Sequence, residues 1–115
     1  MNETPSYNDD PGFRAGTVCT VASGDGRFGA IKILCVTSAT VDVAIFKNKY
    51  TERPAVLDIS ELSLGKVTDT DGFGIGLVTL ARDGFLHWEP VVAGFEELTK
   101  EEEDRVEEFG SGFFG

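Results

Sequence analysis

From Thr17 to Tyr50 the chain alternates apolar and polar side chains through three successive runs, and this alternation commits it to β structure more firmly than any other feature. In TVCTVAS (17–23), Val18, Thr20 and Ala22 fall on one face of an extended strand, with Cys19 and Val21 on the other. GAIKILCVTS (29–38) is a second β-rich run. ATVDVAIFKNKY (39–50) is a third, setting Val41, Val43 and Ile45 against Asp42, Ala44 and Phe46. GDGRFG lies between the first two, and its Gly-Asp-Gly suits a tight hairpin turn because glycine reaches positive φ without a Cβ clash. Three strands joined by short connections predict an antiparallel meander.

Beyond Tyr50 the pattern is less regular. Pro54 breaks the chain in TERPAVLDISELSLG (51–65). There Asp58 or Ser60 is placed to cap one helical turn through Leu62, while Leu57 and Ile59 fit an edge strand equally well. FGIGLVTL (73–80) reads as a fourth main strand, ARDGFLHW (81–88) as a short helical turn, and EPVVAGF (89–95) as a last short strand. Thr99 followed by Glu102 forms a capping box, acidic residues crowd the first turn, Val106 and Phe109 share a face, and Gly110 is a stop. The expected organisation is a loose arm over 1–12, a mainly β domain over 13–95, an acidic helix over 96–110 and a flexible tail over 111–115. The fold class is mainly β (α+β): an antiparallel, strongly bent sheet or small open barrel with one C-terminal helix.

Composition narrows the partners. With 115 residues the chain is one domain, and a 41% hydrophobic fraction argues against disorder. Its net charge of −10 argues against nucleic acid, whose binding rests on Lys and Arg at phosphates. The charge is uneven: residues 13 to 53 hold Arg14, Arg27, Lys32, Lys47, Lys49 and Arg53 against Asp25, Asp42 and Glu52, whereas 96 to 108 are strongly acidic. MNETPSYNDDPGF lacks the apolar stretch of a signal peptide, and no run is long enough to span a membrane, so a cytoplasmic protein without membrane contact is expected. Cys19 and Cys35 sit in apolar alternating runs and read as buried free thiols, with a disulfide between them left open.

DTDGFGIG (69–76) is the stretch most suggestive of chemistry. As an EF-hand it fails: Phe73 stands at the fifth position, glycine arrives early, and Leu80 replaces the glutamate. As a phosphate loop it lacks the lysine motif and a following helix. The expectation is a turn at Asp71-Gly72, with Gly74 and Gly76 leaving room for close backbone approach. His87 is the single histidine and reads as a boundary residue packing on the core, with Phe85 and Trp88 as core. No serine or cysteine lies in a nucleophile context, so neither an enzyme nor a bound cofactor or metal is expected. FKNKYTERP (46–54) gathers Lys47, Lys49, Glu52 and Arg53 where a strand ends, a place where functional contacts often sit, though a solvated strand end is the expected reading.

A turn followed by FGAIKIL, then VDVAIFKNKYTERP, LSLG, DGFGIG and Trp-Glu-Pro in that order resembles the Immunity protein 26 family of bacterial polymorphic toxin systems. The resemblance covers residues 13 to 92, and Leu77, Val78, Thr79 and Leu80 stand where the family carries His-Leu-Pro-Leu. It implies a mainly β protein-binding domain that neutralises a cognate toxin and performs no chemistry. An acidic inhibitor of that kind would suit a basic toxin domain, steered by charge. The expected contact surface draws on Asp69, Asp71, Phe73, Glu96, Glu97, Glu101 and Glu102. Two other readings stay open: a small-ligand or metal-binding β domain using the Asp69–Gly76 loop, and a self-associating homo-oligomer packing through Phe113 and Phe114.

Overall fold

The computed structural model describes residues 13–65 and 74–109. The expected arm, tail and Asp71-Gly72 turn lie outside the described residues. Strands β1 (Thr17–Ala22), β2 (Phe28–Val36), β3 (Thr40–Tyr50), β4 (Ile75–Ala81) and β5 (Val91–Phe95) form one antiparallel sheet in the order β4-β3-β2-β1-β5. The meander predicted from 17–50 is its centre, and both edges come from the C-terminal half. Register shifts in the β1/β5, β2/β3 and β3/β4 pairs bend the sheet, which stays open with β4 and β5 as edges. Of the two architectures expected, the bent open sheet is the one formed.

The strand periodicity sorts side chains as the sequence implies. Cys19, Val21, Ile31, Ile33, Val41 and Val43 make one buried face, and helix α1 (Arg82–Leu86) lays Phe85 on it. Phe13 meets the Phe85 ring edge-on at 5.7 Å, a favoured aromatic geometry. The opposite face holds Val18, Ala30 and Ala93, packed with Leu57 and with Phe46, Tyr50, Ile59 and Leu62 around them. β2 is therefore buried on both sides along most of its length.

The ambiguous segment after Pro54 resolves into a crossing strap. Asp58 caps a single 3-10 turn over Ile59–Glu61, its Oδ1 accepting from the Ser60 N–H at 3.1 Å and the Ser60 hydroxyl at 2.6 Å. At one end the Leu57 N–H donates to the Ala93 carbonyl of β5 at 3.0 Å. At the other, the Lys47 N–H donates to the Ser63 carbonyl, and the Asn48 amide brackets Glu61 and Ser63. The strap thus spans the second face from the β5 edge to β3.

Gly74 enters β4 so close to β3 that a Cβ there would collide with the Ile45 carbonyl. Its N–H also donates to the Leu64 carbonyl at 2.6 Å. Gly84, in α1, faces open space. Gly84→Ala is expected to raise stability by about 0.5–1 kcal/mol through helix propensity and unfolded-chain entropy. Gly74→Ala is expected to lower it by more than about 2 kcal/mol through backbone displacement. Urea unfolding of the two variants checks both signs.

Candidate functional site

Helix α2 (Lys100–Phe109) starts on the capping box read from the sequence. The Thr99 hydroxyl accepts from the Glu102 N–H at 3.1 Å, and Glu102 Oε1 accepts from the Thr99 N–H at 2.9 Å. The body of the helix is unusual for one docked on a sheet: none of its residues is buried. Glu102, Arg105 and Val106 are half-buried, and the rest are exposed. Apolar burial therefore contributes little to its docking, and charge must supply the difference.

The charge comes from Lys32 in the middle of β2, which is 1% exposed. Its Nζ donates to Glu102 Oε1 at 2.8 Å, to Glu96 Oε1 at 3.0 Å and to the Glu97 carbonyl at 3.1 Å. An ammonium has three protons, so these acceptors satisfy it completely. Withdrawing an ammonium from water costs several kcal/mol, and only such a full set of short, charge-assisted bonds offsets it. A weaker second contact runs from Arg105 Nη1 to the Gly76 carbonyl at 3.3 Å. A Cβ on Gly76 would stand 3.2 Å from the Arg105 side chain, so this glycine, like Gly74, serves close approach. Beside them, fully buried Asp42 accepts from the Thr79 hydroxyl at 2.6 Å.

Burial pushes the Glu102 carboxyl up, but the bonds from Lys32 and Thr99 and the charges of Lys32 and Arg105 outweigh it. The net effect holds the carboxyl below its ordinary value of 4.5.

The structure divides the expected contact residues. Glu96 and Glu102 are held by Lys32, and the Glu102 side chain is only 14% exposed. Glu97 gives its carbonyl to Lys32 and is itself exposed. Glu101 is 86% exposed, with Arg105 Nη2 at 4.0 Å. Asp69, Asp71 and Phe73 lie outside the described residues. On the outer side of α2, Glu103, Asp104, Glu107 and Glu108 are exposed beside Glu101, Lys100 pairs with Asp104 at 2.9 Å, and Phe109 ends the helix 65% exposed. Sequence reasoning did not single out Lys32. Its one local signal is a lone cation interrupting the apolar run GAIKILC.

A second polar group sits beside the start of the strap. Arg53, His87 and Glu89 border a cleft of about 660 Å³ between α1 and the start of β5. His87 is exposed, not packed on the core as expected, because it caps the end of α1 with Nδ1 2.7 Å from the Asp83 carbonyl. Trp88, next to it, does pack on the first core face. Cys19 is buried and Cys35 half-buried; they stand opposite Ile31 and Asp42 in their ladders and are not bridged to each other, which answers the open question of a disulfide. Among the described residues no three His, Cys, Asp or Glu side chains converge as metal ligands, and no helix is long and apolar enough to cross a membrane.

No family model, curated protein or solved structure matches the chain, so its site is read from its own geometry.

The Lys32 cluster predicts an asymmetry between its members. Glu102→Ala leaves a buried ammonium short of its strongest acceptor and is expected to cost about 3 kcal/mol. Lys32→Met frees Glu96, whose side chain is already 51% exposed, and Glu102 to turn to water, and is expected to cost about 1 kcal/mol. Because the folded Glu102 carboxyl titrates below 4.5, its stabilisation is complete above that value and is lost as pH falls through the lower, folded one. Urea titrations at neutral and acid pH test this, with the wild-type advantage over Glu102→Gln shrinking in acid.

Proposed function

We propose that this chain is a non-enzymatic, protein-binding domain that engages a basic partner through the outer face of α2, as an immunity protein engages a toxin. The observation that carries the reading is the sorting of the helix's acids. Glu102 is turned inward onto Lys32, while Glu101, Glu103, Asp104, Glu107 and Glu108 stay exposed on a helix fixed to a rigid sheet. Even with Asp104 paired to Lys100 and Arg105 near Glu101, the face carries net negative charge on an ordered element, which raises association rates with a cationic surface and costs little ordering on binding. Phe109, exposed at the end of the same helix, supplies the aromatic anchor that such interfaces concentrate their energy on.

The resemblance to Immunity protein 26 supports the same class, and with it a bacterial, cytoplasmic setting. The net charge of −10 points to a basic toxin domain as partner, not to nucleic acid. Glu97 and Glu101 belong to the contact surface, whereas Glu96 and Glu102 serve it indirectly by fixing the helix.

The test is a pull-down from bacterial lysate at low and moderate salt, with wild type and with a Glu103→Lys/Glu107→Lys/Glu108→Lys variant as bait. All three positions are exposed, so the fold should survive. The expected result is a basic protein retained by wild type, released as salt rises, and absent from the variant. Equal capture by both baits would remove α2 from the interface.

A further inference from the structure

The cleft bordered by Arg53 owes nothing to the acidic helix, and its geometry has the marks of a built site. β3 ends at Tyr50, and Arg53, just before Pro54, folds back over the sheet. Its Nη1 donates to the carbonyl and hydroxyl of Thr20, at 3.1 and 2.9 Å, and to the Glu89 carbonyl at 3.0 Å. Thr20 is fully buried, and the guanidinium carbon also lies 4.7 Å from the centre of the Phe28 ring. One nitrogen and one face of the guanidinium are therefore fixed by the fold. Nε and Nη2 make no hydrogen bond among the described residues, and the nearest carboxylate, Glu89 Oε1, stands 3.9 Å from Nη2 on a side chain that is 74% exposed.

Backbone strain marks the same place. Among the described residues Glu89 is the non-glycine residue with positive φ, at 55°, and it precedes Pro90, a position that ordinarily favours extended backbone. That conformation turns the Glu89 carbonyl onto Arg53, so strain is retained where it orients a guanidinium.

We infer that this cleft is a carboxylate-binding site, with Arg53 Nε and Nη2 taking the two oxygens and Leu86, Pro90 and Val91 receiving an aliphatic group. The free edge of a guanidinium presents two parallel N–H groups at the spacing of a planar carboxylate. A phosphate fits less well. The cleft offers a single arginine, Asp83 and Glu89 are also on its lining, and the chain carries −10 overall, all of which weigh more heavily on a dianion. The same acids keep binding weak and make Glu89 an internal competitor for Nη2. The ligand is a branched short-chain acid or a peptide C-terminus ending in an apolar residue, which share this chemistry.

The experiment is an NMR titration of the full chain, following backbone amides and arginine Nε–H signals, with isovalerate, a leucine-terminated tripeptide and its C-terminal amide. The expected result is saturable, millimolar binding that moves the Arg53 Nε–H, Glu89 and Val91 signals. Equal affinity for isovalerate and the tripeptide would assign a free acid, and tighter binding of the tripeptide would assign a chain terminus. Arg53→Lys keeps the charge without the fork and should weaken binding about tenfold. Glu89→Gln, at an exposed side chain, should strengthen it severalfold by removing the competitor. No saturable shift, an amide that binds as well as the acid, or a Glu89→Gln variant with weaker affinity would each overturn the proposal.

Discussion

A single buried ammonium governs the second face of this sheet. Lys32 emerges from the central strand under almost complete cover, and its three acceptors come from a strand end, a connecting segment and a helix. Each is aimed by local structure. β5 ends at Phe95 so that Glu96 comes immediately after it, and the capping box sets the rotation of Glu102. The same Glu102 oxygen accepts from both Lys32 and the Thr99 N–H, so starting the helix and docking it are one arrangement. Gly76 then clears space for Arg105 to make the second contact. Without Lys32 there would be little reason for a helix with no buried residue to lie on the sheet.

The consequence for recognition is a division of labour among like charges. Residues 96 to 108 look uniformly acidic in sequence, yet two of these carboxylates serve the fold and the remainder face solvent. A helix held mainly by charge keeps its outer face exposed, and under the proposed function that face is the one a cationic partner would meet. The Arg53 cleft lies elsewhere and uses the opposite logic, a fixed cation inside an acidic protein.

Much of the fold is legible in the sequence because it is local. Alternation places Val41, Val43 and Ile45 on the same face as Ile31 and Ile33, and the Thr99/Glu102 spacing locates the helix start within one residue. Gly74 and Gly76 are the points of close approach that their spacing suggests. The strap over 54–65 is not legible, since a single 3-10 turn and an edge strand share one short apolar pattern. His87 is misplaced by pattern because periodicity does not tell a cap from a boundary position on a five-residue helix. The role of Lys32 is hidden for a deeper reason. Its carboxylate partners lie 64 and 70 residues away, and no spacing rule reaches that far.

That separation has a kinetic side. The three meander strands close short loops and can assemble early, whereas β5 reaches back from Phe95 to Thr17 and closes most of the chain at once. Lys32 belongs to the early part and its acceptors to the late part. An assembly that held the meander alone would lack all three acceptors, so the ammonium would keep its water until the C-terminal half docks. The lysine would thus penalise incomplete assembly: a sheet closed without the C-terminal helix leaves a buried charge short of its strongest acceptor. Folding should accordingly show φ-values near zero at Glu102, with the helix locking on the native side of the barrier.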